Sequence, residues 1–254
     1  MSADSWLDRV NLSMAKLPGV SPVNVMMMAG NQPFSELKIP SIKTDHVQIC
    51  PQTSGVFNED SAAVLMSLFS ETKFRLHANV RVFREAIISD FSSMDRHPAY
   101  WQQLAKISRM LDGRGYSAHA GKRSESTLTE AFDAVRRAQD SFDCVVGIEG
   151  MYPSKGDQYL LSTWGEYAAL LESGIPFALD MSHLFILATT CRWYEQTLVQ
   201  EMLSSESCME IHLSGNDGTM DRHHQLDHQP LWWGDMDYAN PQALIFTEGM
   251  QRAL

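Results

Sequence analysis

Side chains that commonly bind metal ions recur along this chain, each at the end of a short apolar run. They are His77 in FRLHANV, His119 in GYSAHAG, Glu149 in CVVGIEG, Asp180 and His183 in PFALDMSH, His212 in CMEIHLSG and Glu248 in ALIFTEG. From position 77 to 119, 149, 180, 212 and 248 the steps are 42, 30, 31, 32 and 36 residues, the length of one strand–loop–helix–loop unit. In a (β/α)8 barrel the carboxyl ends of all strands meet on one face. The spacing therefore predicts a metal site at the top of such a barrel.

Four of these residues, Glu149, Asp180, His212 and Glu248, lie at successive predicted strand ends. Three carboxylates and one imidazole suit Mn, Mg, Zn, Fe or Co ions. Without a cation, carboxylates packed this closely would repel one another and take up protons. One glutamate after a strand is usually an ordinary loop residue, but four such residues in register indicate a site.

Further candidates lie close to these four in the sequence. His183 follows Asp180 by three residues, where the chain turns out of the strand, so both side chains can face one cavity. Asp221 and His223 form an Asp-x-His pair in the long loop 214–242, and alternate residues of an extended loop point the same way. The candidate substrate contacts are Lys122, Arg123 and Arg222, which could bind phosphate, and Trp232, which could stack on a sugar or a base.

The length of 254 residues is typical of one barrel, so we predict a single TIM-barrel domain over 1–254, with 1–22 as an N-terminal extension or helix. The predicted strands are 23–30, 46–50, 74–80, 116–120, 144–149, 176–181, 208–213 and 243–247. The predicted helices are 61–71, 98–111, 126–140, 158–173 and 192–204. Residues 31–45 show no clear helix, and little room remains before the last strand. We therefore expect a reduced first βα unit and a reduced last helix.

Composition narrows the class of protein. The chain is 44% apolar and 20% charged, as in ordinary globular domains, and no apolar run reaches the ~20 residues of a membrane helix. The start shows no signal-peptide pattern, so we expect a cytoplasmic protein. A net charge of −11 without clustered lysine and arginine argues against nucleic acid as a partner. A small-molecule substrate is expected instead, and homo-oligomerisation stays open.

The segments LHANV, SAHAG, GIEG, LDMSH, IHLSGNDG, DRHH and FTEG occur in an order that resembles a known superfamily. Over about residues 70–250 the chain resembles the xylose isomerase-like TIM barrels, which include sugar isomerases and epimerases and the endonuclease IV-type enzymes of AP endonuclease family 2. Either branch implies a divalent-metal cofactor, with one to three Mn, Zn, Fe, Mg or Co ions per chain.

The two branches imply different ligand sets. Resemblance to the endonucleases implies three ions, the first on His77 and His119, the second on Asp180, His212 and Glu248, the third on His183, Asp221 and His223, with Glu149 bridging the first two. Resemblance to the isomerases implies one ion on Glu149, Asp180, His212 and Glu248. In that case Glu149 and Glu248 also serve as acid and base, and His183 contacts the substrate.

Four functions compete. The preferred one is an isomerase or epimerase that acts on a sugar-like or polyol molecule by metal-assisted proton transfer, with Glu149, Glu248 and His183 as catalytic residues. The first alternative is a multinuclear hydrolase of phosphodiesters or phosphate esters. The others are a multinuclear iron oxidase that modifies a small molecule or peptide, and a barrel that binds metal or metabolite without turnover. The pair Asp221 and His223 discriminates, because a single ion needs neither as a ligand.

Overall fold

Eight parallel strands form one sheet in the computed structural model, which describes residues 5–251. The strands are β1 Val10–Ser13, β2 Lys43–Ile49, β3 Lys73–Leu76, β4 Gly115–His119, β5 Val145–Glu149, β6 Phe177–Asp180, β7 Cys208–Leu213 and β8 Leu244–Thr247. Their order is β3-β2-β1-β8-β7-β6-β5-β4. A bridge joins Phe74 of the edge strand β3 to Asp112, three residues before the other edge strand β4, so the sheet closes nearly completely. The predicted (β/α)8 barrel is confirmed.

Helices alternate with the strands and cover the barrel. They are α1 Pro22–Asn31, α2 Glu59–Leu68, α3 Pro98–Met110, α4 Leu128–Phe142, α5 Trp164–Ser173, α6 Met181–Cys191 and α7 Gln196–Ser204. Short 3-10 helices span Trp6–Arg9, Met14–Lys16, Phe91–Arg96 and Trp233–Tyr238. Asn58 and Thr127 cap α2 and α4 through their side chains, and Gly174 ends α5 in a left-handed conformation. Among residues 5–251 no helix is both long and apolar enough to cross a membrane.

The N-terminal prediction is wrong. The segment 1–22, expected as an extension or helix, contains β1, and the predicted strand 23–30 lies within α1. Ser21 accepts a hydrogen bond from the backbone N–H of Asn24, and Pro22 occupies the first helical turn, so the local signals favour a helix. The first βα unit is therefore present and not reduced.

The connection between β6 and β7 holds two helices where one was predicted at 192–204. Only α7 corresponds to that prediction. The other helix, α6, begins at the residue directly after β6, with no loop between them. Asp180 makes this possible, since its side chain accepts hydrogen bonds from the backbone N–H groups of Ser182 and His183. The last helix is reduced, as predicted, to the 3-10 segment Trp233–Tyr238.

A polar layer fills part of the barrel interior, where branched apolar side chains are usual. Arg75 forms a buried ion pair with Glu210, and Glu210 also accepts hydrogen bonds from Gln48 (2.9 Å) and Ser117 (3.4 Å). Gly115 makes room for the guanidinium, because a β-carbon there would lie 2.7 Å from Arg75 Nη2. The layer joins β2, β3, β4 and β7 directly below the predicted metal site.

Candidate metal centre

The carboxyl ends of the strands bring the predicted ligands together. His119 and Glu149 lie in register on β4 and β5, and Asp180 and His212 lie in register on β6 and β7. Three triads have potential ligand atoms within 4.8 Å of one another: His77, His119 and Glu149; His77, His212 and Glu248; Glu149, Asp180 and His183. Strand geometry thus assembles the residues that the spacing singled out.

Glu149 occupies the middle of this cluster and is 1% exposed. Its Oε1 lies 3.2 Å from His212 Nδ1, and its Oε2 lies 3.5 Å from His77 Nε2 and 3.7 Å from His119 Nε2. Burial opposes ionisation of Glu149, but His212, His77 and His119 outweigh it and hold the pKa of its carboxyl well below the usual range. The two oxygens therefore face different histidines, as a carboxylate shared by two ions would require.

His183 sits between two carboxylates. Its Nδ1 donates to the carbonyl of Gly150 at 2.8 Å, which directs Nε2 toward Asp180 Oδ2 and Asp221 Oδ2, each at 3.5 Å. Burial alone would lower the pKa of His183, but Asp180 and Asp221 raise it to about 10. Without a metal ion, the site therefore stores a proton where a cation could bind.

The loop after β7 carries Asp221 and His223 into the same site. His223 Nε2 lies 2.9 Å from Asp221 Oδ2, and His223 Nδ1 lies 3.4 Å from Glu248 Oε2. His223 has a left-handed backbone (φ 47°), and its carbonyl accepts a 2.6 Å hydrogen bond from the N–H of Met250. Burial, reinforced by Asp180 and Glu149, raises the pKa of Glu248 to about 7 against the opposing effect of His212 and His223.

Three residues that orient the predicted ligands were not anticipated. His212 Nε2 lies 2.8 Å from Glu210 Oε1, His77 Nδ1 lies 3.3 Å from Ser117 Oγ, and His119 Nδ1 lies 3.5 Å from Asp90 Oδ1. Such partners fix which ring nitrogen is free to bind a metal. Glu210 could have been found, because it lies two residues before His212 and so on the same face of β7. Asp90 lies in an irregular connection that gives no periodic signal.

The donor set fits divalent cations. Four buried atoms of the predicted ligands have no hydrogen-bond partner among the described residues: Glu149 Oε2, Asp221 Oδ1, His223 Nδ1 and Glu248 Oε1. A buried polar atom without a partner is costly, and cations bound within the cluster would give these atoms partners. Imidazole nitrogens and carboxylate oxygens together suit Mn, Zn, Fe or Co.

The predicted substrate-binding residues are paired with carboxylates, exposed to solvent or covered by another ring. Arg123 is bound by Glu166 through two hydrogen bonds of 2.6 and 2.8 Å, and Arg222 faces Asp217 at 3.6 Å. Lys122 is exposed, whereas Trp232 is 1% exposed and stacked on Trp233, so its ring is covered.

An aromatic residue that was not predicted lies beside the cluster instead. The ring of Tyr152 is 4.9 Å from that of His183 and half-buried. It follows Glu149 by three residues, so its position after β5 was the available signal.

Comparison with known proteins gives the fold a name. No family model and no curated protein matches the chain. Among solved structures, a D-tagatose 3-epimerase-like protein is 15% identical with a TM-score of 0.67, covering 96% of this chain and 91% of that one. The chain has the xylose isomerase-like TIM-barrel fold. An AP endonuclease of family 2 from Brucella melitensis is 13% identical with a TM-score of 0.67, covering 96% and 94% of the two chains.

A third solved structure has a similar fold. A xylose isomerase domain protein from Alicyclobacillus acidocaldarius subsp. acidocaldarius is 11% identical with a TM-score of 0.62, covering 97% of this chain and 90% of that one. Proteins of this fold therefore include one described as epimerase-like and one described as an AP endonuclease. At these identities the likeness fixes the fold alone, and the choice of chemistry depends on the side chains of the site.

Proposed function

We propose that this protein is a multinuclear, divalent-metal-dependent hydrolase of phosphate esters or phosphodiesters. The observation that carries the proposal is the position of Asp221 and His223, which lie against His183 and Glu248 within the cluster. A mononuclear isomerase site would use four ligands and leave this pair without a role. The geometry thus favours the alternative over the isomerase that the sequence analysis preferred.

The chain offers ligands for up to three ions. His77 and His119 would hold one, Asp180, His212 and Glu248 a second, and His183, Asp221 and His223 a third, with Glu149 shared between the first two. Bound ions would supply charge neutralisation for a phosphoryl group and would lower the pKa of a water molecule.

The protein's own groups would place the substrate and hold the ligands in one orientation. Gly150, Glu210 and Ser117 fix the rings of His183, His212 and His77. Burial first, and then Asp221, raises the pKa of Tyr152, so its phenol keeps its proton at neutral pH. Tyr152 would therefore offer a hydrogen-bond donor and a ring face to a substrate bound next to His183.

Epimerisation of a sugar-like molecule is the second candidate. Two buried carboxylates lie close to one atom of His212: Glu149 Oε1 is 3.2 Å and Glu248 Oε1 is 3.8 Å from its Nδ1. Such a pair could remove and return a proton on a chelated substrate. The proteins of similar fold include a D-tagatose 3-epimerase-like protein, which adds support.

Elemental analysis of protein purified without chelator tests the proposal. We expect about two or three ions per chain, with about one lost in the double variant Asp221→Ala/His223→Ala. The matched control is Asp217→Ala/His224→Ala, two exposed positions in the same loop. Each protein is then assayed on bis(p-nitrophenyl) phosphate, on abasic-site DNA and on a panel of ketohexoses.

The outcomes separate the two candidates. Phosphoester hydrolysis that falls at least about 100-fold in the Asp221/His223 variant, and not in the control, supports the hydrolase. One ion per chain in both wild type and variant, with ketohexose epimerisation retained in the variant, would overturn it in favour of the epimerase.

A further inference from the structure

Four successive strands begin beside a cation at the end of the barrel opposite the metal cluster. Lys43 and Lys73 are the first residues of β2 and β3, and Arg9 and Arg114 immediately precede β1 and β4. No lysine or arginine occupies the first position of β5 to β8 or the position before it. Because parallel strands start on the same side of a sheet, the four cations form a half-ring.

A cavity of about 810 Å³ opens inside this half-ring. Its volume falls in the range of small-molecule sites. Arg75, from the polar layer, forms part of its wall together with the half-ring. Across from the cations the wall is mixed: Val145, Pro176 and Leu244 form an apolar patch beside the polar Glu206, Ser207, Asn240 and Gln242. Arg75 is paired with Glu210, so the four cations of the half-ring, with His46, face three acids, Asp45, Asp112 and Glu206, in a chain whose net charge is −11.

Much of this positive charge is not neutralised by ion pairs. Arg114 pairs with Asp112 at 3.4 Å, but Arg9 donates to the backbone carbonyls of Asn240 and Ala243, which carry no net charge. Within residues 5–251, Lys43 and Lys73 form no ion pair, and both are exposed.

The pKa of the neighbouring His46 is affected by burial and by the surrounding charges. Burial first, and then Arg75 and Lys73, lower its pKa, while Asp45 and Glu210 oppose them. The cavity has lysines without ion pairs to described residues on one side and the apolar patch of Val145, Pro176 and Leu244 on the other.

We propose that this cavity binds a small organic anion that carries two or more phosphate or carboxylate groups on an apolar frame. Lys43 and Lys73 bind the anionic groups, since they are exposed and free of carboxylate partners. The apolar frame packs toward Val145, Pro176 and Leu244. The site is distinct from the metal cluster, from which it is separated by the ion pair of Arg75 and Glu210.

The test uses the metal-loaded, full-length protein and two probes that do not chelate transition metals, sulfate and naphthalene disulfonate. The latter is fluorescent and combines two anionic groups with an apolar ring system. The variant is Lys43→Ala/Lys73→Ala, and the control is Lys106→Ala/Arg136→Ala, which removes the same charge from exposed positions on α3 and α4. Circular dichroism verifies that both variants fold.

We expect one saturable naphthalene disulfonate site per chain, displaced by sulfate. Affinity should fall about ten-fold or more in the Lys43/Lys73 variant and stay within about two-fold in the control, because each exposed cation near an anion contributes a factor of about five at low salt. Added salt should weaken binding. Equal affinity in the two variants would place the probe elsewhere, including at the metal cluster, and would overturn the proposal, as would the absence of saturable binding to wild type.

Discussion

Replacing Glu210 should separate the stability of the barrel from the binding of metal. The Glu210 carboxylate is fully buried and touches Arg75, Gln48 and His212. In Glu210→Ala the guanidinium of Arg75 stays buried without a counter-charge, which costs about 3–5 kcal/mol. Because a domain of this kind is stable by only about 5–15 kcal/mol, we expect a large drop in the urea midpoint.

A double variant isolates the second role of Glu210. Arg75→Met/Glu210→Leu removes both charges and fills similar volume, so no unpaired charge stays buried and the free energy of unfolding should recover most of the loss seen in Glu210→Ala. His212 then loses the carboxylate that accepts its Nε2 proton, and among the described residues only the neutral amide of Gln48, 3.0 Å from Nε2, is left to orient the ring from that side. Losing such an orienting partner costs about 10–100-fold in metal affinity. The double variant should therefore fold well and bind metal poorly.

Urea unfolding of the metal-free proteins and competition with a chromophoric chelator measure the two quantities. Glu201→Ala, at an exposed position of α7, is the control and should match wild type in both assays. If the double variant binds metal as tightly as wild type, Glu210 does not orient His212. If Glu210→Ala unfolds at the wild-type urea concentration, Arg75 does not depend on its partner.

Three further predictions concern protons, backbone and packing. Metal-free protein at pH 7 should release at least about two protons per chain on metal loading, because His183 and His223, whose pKa values are raised to about 10 and about 9, are protonated there. Metal affinity should therefore rise with pH. An indicator dye that detects no proton release would contradict this prediction. Gly121→Ala should lower stability by about 1–3 kcal/mol in a urea titration, since its φ is +99° and a β-carbon would overlap Ser92; a wild-type midpoint would be inconsistent with that strain. Trp232→Ala should cost about 3–5 kcal/mol because the ring is buried, yet leave the metal content unchanged, and a loss of ions would show that the ring supports the site.

The predicted elements that agree with the structure have clear sequence signals at their ends. The predicted strand 208–213 coincides with β7, since an apolar run there is bounded by polar turns and ends in a histidine. The strand predicted at 23–30 is wrong because that run is apolar without alternation, a pattern shared by buried strands and helices. The helix α6 was missed because it starts without a loop, and its cap is a residue already assigned to the metal.

The site was predictable where it depends on strand ends and unpredictable where it depends on pairing across the barrel. The nine predicted ligands form one connected cluster, because parallel strands carry their last residues to a common face and the segments after β6 and β7 bring His183, Asp221 and His223 to it. The ion pair between Glu210 and Arg75 joins positions 135 residues apart, and no local sequence pattern indicates it. Asp90 reaches His119 from an irregular segment, whose path follows from packing. The roles of the nine ligands stay predictions.

The half-ring of cations at the start of β1–β4 creates a positive field at the end of the barrel opposite the metal cluster. Such a field acts beyond direct contact, over about one Debye length, and changes the rate at which charged molecules arrive. The half-ring thus attracts anions to one end of the barrel, and an ion-loaded metal cluster would attract phosphate esters to the other end. The two sites would be reached from opposite directions, and the association rate of an anion at each should decline as ionic strength rises.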